Sequence, residues 1–360
     1  MNNSFNRRSS RLIRLGGVSV GGGSPISIQS MTNTDTHDFD ATASQIIDLQ
    51  NAGCEIVRIT LPDLEAVDTV YKLKSDGRIS IPIVADIHFD YKIALAVAEA
   101  GIDKIRINPG NIGDDSRVKA VADICKAKNI PIRIGVNSGS VEKNILSKYG
   151  APTPEALCES ALYHASLLEK FDFGDIVLSV KASNPLSTIL SYRKLATLCD
   201  YPLHLGVTEA GGAETGAIKS AVGIGTLLAE GIGDTIRVSL TADPVKEIYT
   251  AKAILSSLQL DSKKGLEIVS CPTCGRTKID LIGLLDSFER AVDENNLRGI
   301  DAKVALMGCV VNGPGEAKEA DIGIAGGKGE AVFFRHGEIV EKISEDEIIN
   351  KLIDELKKIK

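Results

Sequence analysis

Between residues 25 and 258 the chain alternates regularly between two kinds of segment. Short β-branched runs, typical of buried strands, span 25–31, 55–60, 81–88, 104–110, 131–137, 175–183, 202–209 and 235–242. Each is followed by a segment with helical spacing, at 40–53, 63–75, 90–101, 114–129, 152–172, 186–200, 213–231 and 243–258. Eight tandem βα units favour an α/β fold with a closed (β/α)8 TIM-type barrel over an open doubly wound sheet. The glycine-rich segment before residue 25 predicts a hairpin that plugs one end of the barrel.

The alternation stops at a polar stretch, residues 259–265, which we interpret as a linker. The rest of the chain, residues 266–360, has a different order: strand, helix, strand, glycine-rich loop, paired strands and a closing helix capped by Ser344. That order predicts a small α+β domain. We therefore expect two domains, a barrel over residues 1–258 and an α+β domain over residues 266–360.

Charge and hydropathy exclude several classes of function. The 360 residues include 41 lysines and arginines against 48 acids, a net charge of −7, with no basic face of the kind that binds nucleic acid. No segment is apolar for the length of a signal core or a membrane span, so we expect a cytoplasmic protein with no membrane partner. Seven cysteines are an odd number, which favours metal or redox chemistry over a disulfide framework.

Three of those cysteines follow two predicted strands of the second domain. Cys271 and Cys274 form a CPTC motif directly after one strand, and Cys309 lies in MGCVVNGPGEA after the next. Because both loops would leave the same edge of one sheet, their sulfur atoms can converge on a metal. The domain has no fourth cysteine, and three thiolates with an oxygen ligand suit a [4Fe–4S] cluster, for which Glu316 is the candidate fourth ligand.

Two other interpretations of these cysteines stay open. A structural zinc site could recruit His336 as its fourth ligand, or the three thiols could be unrelated and buried. A C-x2-C motif occurs in zinc and iron–sulfur sites alike. The remaining cysteines are expected to be small buried hydrophobic residues; they are Cys54, Cys125, Cys158 and Cys199.

Charged residues interrupt the otherwise apolar barrel strands near their C-terminal ends, where (β/α)8 barrels carry their catalytic groups. The cations are Arg58, Arg106, Arg133, Lys181 and Arg237. A single arginine there would most simply be a core ion pair, but these five cations have only two clear acids near them, Asp86 and Glu209. An anionic ligand explains the excess, and guanidinium groups suit a phosphate or diphosphate.

Two groups of residues at this mouth are candidates for proton transfer to or from a ligand. Asp86 and His88 are two residues apart and would share one side of their strand, so Asp86 could fix the tautomer of His88. Glu209, just past the seventh strand, is the carboxylate best placed for proton transfer. The alternatives are a hydrogen-bonded core histidine and an acid that stabilises the next helix. Neutral donors at the strand ends are Asn108, Asn137, Ser179, Ser183 and Ser239.

Together these motifs resemble one family, the bacterial two-domain 4-hydroxy-3-methylbut-2-enyl diphosphate synthases of the non-mevalonate isoprenoid pathway. The resemblance covers essentially the whole chain, and its segments are QSMTNTDT, VRIT, ADIHF, KIRINPGN, PIRIGVNSGS, GVTEAG, SCPTCGR and MGCVVNGPGEA. The last two segments are highly specific. No motif residue departs from the family pattern.

The resemblance implies a reductive ring opening of 2-C-methyl-D-erythritol 2,4-cyclodiphosphate, with two electrons delivered by flavodoxin or ferredoxin through a [4Fe–4S] cluster. It implies that the cluster ligands are Cys271, Cys274, Cys309 and Glu316. It implies an acid–base role for Glu209 and substrate contacts at Arg58, Asp86, His88, Arg106, Asn108, Arg133, Asn137, Lys181 and Ser239. Two rival functions remain, a zinc-dependent or pterin-type barrel hydrolase or transferase and a non-enzymatic cluster carrier.

The direction of the chain in the barrel bears on assembly. Each helix runs antiparallel to its strand, so the eighth helix delivers the chain to the face opposite the mouth. A helix of about 16 residues makes the barrel about 24 Å tall. A linker of about eight residues spans at most about 27 Å, which leaves nothing to bend over the rim. We therefore expect a homodimer in which each cluster domain caps the partner's barrel and the active site is shared, as the resemblance also implies.

Overall fold

The computed structural model describes residues 6–260, 265–310 and 318–359. The chain divides into two compact units, Met1–Asp261 and Ser262–Lys360. Residues 261–264 of the predicted linker lie outside the described residues, and so do residues 311–317 of the glycine-rich loop, Glu316 among them.

After a short antiparallel hairpin, β1 (Ile13–Leu15) and β2 (Val18–Val20), eight parallel strands form the barrel of the first unit. They are β3 (Ser27–Met31), β4 (Ile56–Thr60), β5 (Ile83–Asp86), β6 (Lys104–Ile107), β7 (Ile132–Asn137), β8 (Ile176–Lys181), β9 (His204–Leu205) and β10 (Thr235–Ile236). Strands β3 to β8 pair in chain order, and β10 pairs with both β3 and β9. A parallel bridge from Leu178 to Leu203 joins β8 to the chain entering β9, which closes the ring. The predicted (β/α)8 fold is confirmed.

The last two barrel strands are shorter than the sequence predicts, because the chain leaves the sheet at the mouth after two residues of each. At Gly206, just after β9, a Cβ atom would lie 2.7 Å from the backbone oxygen of Arg237 and 2.5 Å from Nζ of Lys181. Only glycine allows such a close approach. Three residues later, Glu209 has a φ of +52°, which no strand residue adopts.

Helices surround the barrel strands. They are α1 (Phe39–Ala52), α2 (Val67–Ser75), α3 (Tyr91–Glu99), α4 (Asp115–Ala127), α5 (Lys143–Tyr149), α6 (Pro154–Glu169), α7 (Pro185–Leu198), α8 (Ala213–Ala229) and α9 (Pro244–Ser257). The eight predicted helices are confirmed, and the short helix α5 was not predicted. The hairpin lies at the N-terminal end of the barrel, where Leu15 and Val20 pack against Ile56 and Val84.

A five-stranded sheet organises the second unit. Its strands are β11 (Glu267–Ser270), β12 (Lys303–Met307), β13 (Ile322–Gly326), β14 (Glu330–Arg335) and β15 (Glu338–Ser344), paired in that order. The first three strands are parallel and the last two antiparallel. Helices α10 (Leu281–Glu294) and α11 (Ile348–Ile359) pack against it, with Phe288 and Leu352 in one core with Ile324 and Phe333. This agrees with the predicted mixed α and β domain.

Two helix starts differ from the sequence prediction. Helix α10 begins at Leu281 rather than near 276, because the Asp280 carboxylate accepts a hydrogen bond from the Gly283 N–H and caps the helix there. Ser344 caps a 3₁₀ turn over Glu345–Glu347 that leads into α11, and its hydroxyl donates to Glu347. None of the described helices combines the length and the apolar composition that a membrane crossing needs.

Candidate active site

Asp86, the last residue of β5, is buried between cations from the neighbouring strands. Its Oδ1 accepts a hydrogen bond from Nη1 of Arg106 at 3.2 Å, and its Oδ2 lies 3.7 Å from Nε of Arg58. The register explains the contact, because Asp86 pairs with Arg106 across the β5–β6 ladder. Burial alone would raise the pKa of Asp86, but Arg58 and Arg106 outweigh it and hold the pKa below its usual value. Asp86 is thus an ionised acceptor held by two guanidinium groups.

Arg133 and Lys181 are buried cations on the neighbouring strands β7 and β8. Arg133 is the second residue of β7 rather than near its end as predicted, because it pairs with Val177, four positions before Lys181. Arg133 is 2% exposed, and its Nε and Nη2 have no hydrogen-bond partner among the described residues. Lys181 ends β8 and is 7% exposed. Burial first, and the neighbouring arginines second, lower the pKa of both side chains. A buried cation without a counter-ion is costly, so an anion that enters here is strongly stabilised.

Arg237 is paired with an acid that the sequence analysis missed. Its Nε and Nη2 each lie 3.2 Å from a carboxylate oxygen of Glu247, in the first turn of α9. Glu247 is 3% exposed and also accepts hydrogen bonds from the Ser30 hydroxyl and the Leu240 N–H. The sequence could have indicated this role, because Glu247 lies on the same buried face of α9 as Ile248. The prediction that Glu209 is the second acid among these cations is corrected, because Glu247 takes that place.

Two further titratable residues lie inside the barrel without partners, and the sequence analysis did not single them out. Lys104 begins β6, two residues before Arg106, and its fully buried ammonium group has no hydrogen-bond partner among the described residues. His204 begins β9, and both of its ring nitrogens are buried without a hydrogen-bond partner among the described residues. Burial, followed by nearby cations, lowers the pKa of both groups far below their usual values. The sequence KIRI could have indicated the position of Lys104. Residues two apart share one side of a strand, so Lys104 faces the barrel interior with Arg106.

Three neutral polar residues lie at the ends of the barrel strands, as predicted. Asn108, 4% exposed, accepts a hydrogen bond from the Gly135 N–H through its side-chain oxygen at 3.0 Å, which ties the end of β6 to β7. Asn137 ends β7 opposite Lys181 in the β7–β8 register, and its N–H donates to the Ser140 hydroxyl. Ser239 follows β10 and is half-buried. These residues lie at or after the C-terminal ends of their strands, as Asp86 and Lys181 do.

His88 is exposed and lies beyond the end of β5, so the two-residue alternation of the strand does not reach it. The structure has no hydrogen bond between the described side chains of Asp86 and His88, and Asp86 is engaged by Arg106 instead. The prediction that Asp86 fixes the tautomer of His88 is therefore wrong. His88 remains a candidate substrate contact by its position after β5.

Glu209 is exposed, and its φ of +52° is rare for a residue with a side chain. Helix α8 begins four residues later, at Ala213, and the acid in its first turn is Glu214. The alternative in which Glu209 serves as the N-terminal acid of that helix therefore loses its support. The proton-transfer role of Glu209 stays a prediction.

In the second unit, the loops that carry the cysteines leave one edge of the sheet, as predicted. We define the cysteine edge as the described residues 271–280, 308–310 and 327–329, which follow β11, β12 and β13. The N–H of Gly308 donates to Sγ of Cys271 at 3.2 Å, and the N–H of Lys278 donates to the oxygen of Gly308 at 3.0 Å. Cys271 and Cys309 are half-buried, and Cys274 is exposed.

These cysteines are a fitting donor set for an iron–sulfur cluster. All three are free thiols on adjacent loops, and a backbone N–H directed at a sulfur atom is the kind of contact that tunes cluster potentials. Among the described residues no three His, Cys, Asp or Glu side chains already form a metal-binding group. Glu316, the predicted fourth ligand, lies outside the described residues.

The alternative zinc site with His336 is contradicted by the strand directions. His336 follows β14, whose last residue, Arg335, pairs with Ile322 at the start of β13. The cysteine edge lies at the other end of β13, about 17 Å away for five residues at 3.3 Å each. His336 instead packs beside Asp321, with Nδ1 at 3.7 Å from its carboxylate.

The other four cysteines belong to the first unit. Cys54, Cys125 and Cys158 are buried, as expected, and burial raises the pKa of each thiol to about 12. Cys199 is half-buried rather than buried, because it follows the last turn of α7. A cavity of about 490 Å³ lies between α5, α6 and α7, outside the barrel, and none of the candidate residues lines it.

Comparison with known proteins gives matches over both units. The GcpE TIM-barrel domain matches residues 10–252, and the GcpE protein C-terminal domain matches residues 267–358. A protein of Fusobacterium nucleatum is 55% identical over 352 residues, covering 98% of this chain and 97% of its own length. Proteins of Clostridium perfringens and Ruminiclostridium cellulolyticum are 56% and 55% identical, covering 97% and 99% of this chain and 98% and 99% of their own lengths. All three are named 4-hydroxy-3-methylbut-2-en-1-yl diphosphate synthase (flavodoxin).

Proposed function

The chain belongs to the GcpE family, and from that premise we propose that it catalyses the reductive ring opening of 2-C-methyl-D-erythritol 2,4-cyclodiphosphate. The product is 4-hydroxy-3-methylbut-2-enyl diphosphate, an isoprenoid precursor, and the protein acts as an iron–sulfur oxidoreductase. The observation that carries the proposal is Arg133, whose buried guanidinium group has two nitrogens without a partner among the described residues, in a barrel interior with more cations than buried acids. A diphosphate supplies the missing negative charge.

In this proposal the barrel binds and orients the substrate. The residues that contact it are Arg58, Asp86, His88, Arg106, Asn108, Arg133, Asn137, Lys181 and Ser239. Asp86 holds Arg58 and Arg106 from one side, and Nη2 of Arg106 also donates to the Gly135 oxygen. Nε of Arg106 has no partner among the described residues and is therefore preorganised to donate to a phosphate oxygen. Arg237 is held in the same way by Glu247, which makes it a further candidate for the diphosphate.

The reaction consumes two electrons and one proton. The carbon–oxygen bond to one ring phosphate breaks, the neighbouring hydroxyl group leaves as water, and a carbon–carbon double bond remains in the linear diphosphate. Glu209 donates the proton that converts the departing hydroxyl group to water. Its exposure at the mouth lets it regain a proton from solvent after each turnover.

The residues that would hold the [4Fe–4S] cluster are Cys271, Cys274, Cys309 and Glu316. When bound, such a cluster supplies the two electrons one at a time, after receiving them from flavodoxin or ferredoxin. We further propose a homodimer in which each second unit serves the partner's barrel. The short linker and the chain direction in the barrel support this arrangement.

Anaerobic purification with metal analysis tests the cluster and separates the rival functions. We expect a brown protein with about four irons per chain and no zinc, whereas a zinc-bound, colourless protein would support the hydrolase or transferase. The Cys309→Ser variant is expected to lose the iron, and the matched Cys199→Ser variant to keep it. Equal iron in both variants would contradict the ligand assignment.

Calorimetric titration with the cyclic diphosphate separates an enzyme from a cluster carrier. The wild-type protein is expected to bind it, and the Arg133→Met variant to bind it far more weakly, since one charge-assisted contact is worth about 1.5–3 kcal/mol. No binding to the wild-type protein would favour the carrier.

A further inference from the structure

The cysteine edge is one continuous surface. The oxygen of Gly308 accepts a hydrogen bond from the Lys278 N–H, which joins the loop after β11 to the loop after β12. A Cβ atom at Gly326, the last residue of β13, would lie 3.0 Å from the same oxygen and 2.8 Å from the Ile279 side chain, so the end of β13 abuts both loops. Residues on these three loops are therefore neighbours in space.

Exposed cations surround the cysteines on this surface. They are Arg276, Lys278 and Lys328, and none of them forms an ion pair with a described residue. The acids close by are engaged: Asp280 caps α10, and Glu330 lies 2.7 Å from Lys342. The acidic turn Glu345–Glu347 follows β15, about 10 Å beyond β13 at the usual strand spacing. The edge is thus positive beside the cysteines and negative at its far end, in a chain whose net charge is −7.

Two large apolar side chains are exposed beside the same loops. Val310, directly after Cys309, is 48% exposed, and Ile282, in the first turn of α10, is 64% exposed. A small apolar centre with a charged rim is the usual composition of a protein-binding surface, and electron-transfer partners use surfaces at the small end of the range. An apolar contact at the cysteines would bring a donor's redox group close to the metal site.

We propose that the cysteine edge is the docking surface for the electron donor, an acidic flavoprotein of the flavodoxin kind, with Arg276, Lys278 and Lys328 contacting its carboxylates. The donor and the partner's barrel would use this surface in turn, the donor while the second unit is turned away from that barrel. This rests on the proposed function. The relatives' names include flavodoxin, and exposed cations around a redox site attract an acidic partner and accelerate its association. In each encounter the reduced flavin is oxidised by one electron, from hydroquinone to semiquinone, and two encounters supply the two electrons of one turnover.

Charge reversal at two lysines tests the docking surface. The Lys278→Glu/Lys328→Glu variant is compared with Lys318→Glu/Lys357→Glu, which changes the charge by the same amount elsewhere on the second unit. Lys318 lies beside the turn at Gly337, at the opposite edge of the sheet, and Lys357 lies in the last turn of α11. All four lysines are exposed.

Binding of purified flavodoxin to the cluster-loaded protein is measured at several salt concentrations. The cysteine-edge variant is expected to raise the dissociation constant about tenfold or more and to flatten its salt dependence, because charges at the rim of an interface govern steering and salt response. The control variant is expected to stay within about twofold of the wild type. Equal affinity of both variants would overturn the proposal.

Turnover of the cyclic diphosphate with two reductants separates this proposal from the proposed function. With flavodoxin as donor the cysteine-edge variant is expected to be slow, and with dithionite, which needs no docking, it is expected to match the wild type. A loss of turnover with both reductants would mean that the lysines serve the substrate side and would overturn the docking role. Failure of the wild type with dithionite would refute the proposed function, while the binding measurement would still decide the docking surface.

Discussion

The backbone N–H of Gly110 donates a hydrogen bond to Nδ1 of His164 across 3.0 Å, and so fixes a mouth loop to a helix outside the barrel. His164 lies on α6 and is fully buried. Its Nε2 lies 2.5 Å from the Glu142 carboxylate in the loop after β7. A Cβ atom at Gly110 would lie only 2.8 Å from the imidazole ring. One side chain therefore braces the loops that follow Asn108 and Asn137.

Replacing His164 with leucine is expected to loosen both loops. The Gly110 N–H and the Glu142 carboxylate lose their partner, which costs about 1–3 kcal/mol of stability. We also expect a higher Michaelis constant for the cyclic diphosphate with a nearly unchanged turnover number, since the reacting groups stay in place. His336→Asn, at an exposed turn whose φ of +49° asparagine tolerates, is the control and should change neither quantity. Unaltered kinetics in a destabilised His164→Leu protein would show that the brace is structural only.

Arg133→Met is expected to separate substrate binding from stability. Loss of one charge-assisted contact should raise the Michaelis constant by roughly ten- to a hundredfold, equivalent to about 1.5–3 kcal/mol. The thermal midpoint should be unchanged or higher, because the variant no longer buries a guanidinium group with unpartnered nitrogens. Arg193→Met removes an exposed arginine paired with Glu230 and serves as control. A lower midpoint with a normal Michaelis constant would make Arg133 a structural residue.

Asp86 makes the stability of the barrel depend on pH in acid. The folded protein holds the pKa of Asp86 below its usual value of 3.8, despite burial, through Arg58 and Arg106. The stabilisation is therefore complete above the usual pKa and is lost as the pH falls through the lower, folded-state pKa. Asp86→Asn is expected to be less stable than the wild type near neutrality, with a difference that shrinks as the pH drops below 3.8. Urea unfolding at a series of pH values measures this, with the exposed Asp48→Asn as control. A difference that is constant with pH would contradict the ion-pair account.

The barrel and the convergence of its cations could be predicted from the sequence, because strand period and chain order determine both. Arg106 and Arg133 face the same interior since the βα rhythm sets the register of parallel strands. The pairing of Glu247 with Arg237 was harder to predict, because it depends on which face of α9 packs against the strands. His336 was misplaced as a possible zinc ligand because nothing in the sequence states that β14 runs antiparallel to β13. The φ of +52° at Glu209 could not be predicted, because glutamate is not a residue type that favours this conformation.

The shared active site of the proposed dimer can be tested by complementation. Glu209→Gln disables the barrel and Cys309→Ser disables the cluster site, so each protein alone is expected to be inactive or nearly so. After subunit exchange, about a quarter of the sites should be complete, because half of the dimers are hybrids with one intact pair each. Activity that returns on mixing supports the arrangement. If mass spectrometry confirms exchange and no activity returns, each second unit serves its own barrel.

The most direct test of the proposed reductive ring opening is an anaerobic activity assay in which the number of electrons consumed per product molecule is measured. Cluster-loaded protein receives the cyclic diphosphate and a measured amount of dithionite, and the products are followed by mass spectrometry and phosphorus NMR. We predict a linear diphosphate that has lost one oxygen atom, with two electrons consumed per molecule. The Glu209→Gln protein should be slower by about 10²–10⁴-fold. Recovery of the cyclic diphosphate unchanged from iron-loaded, reduced protein, or ring opening by hydrolysis without electron consumption, would contradict the account.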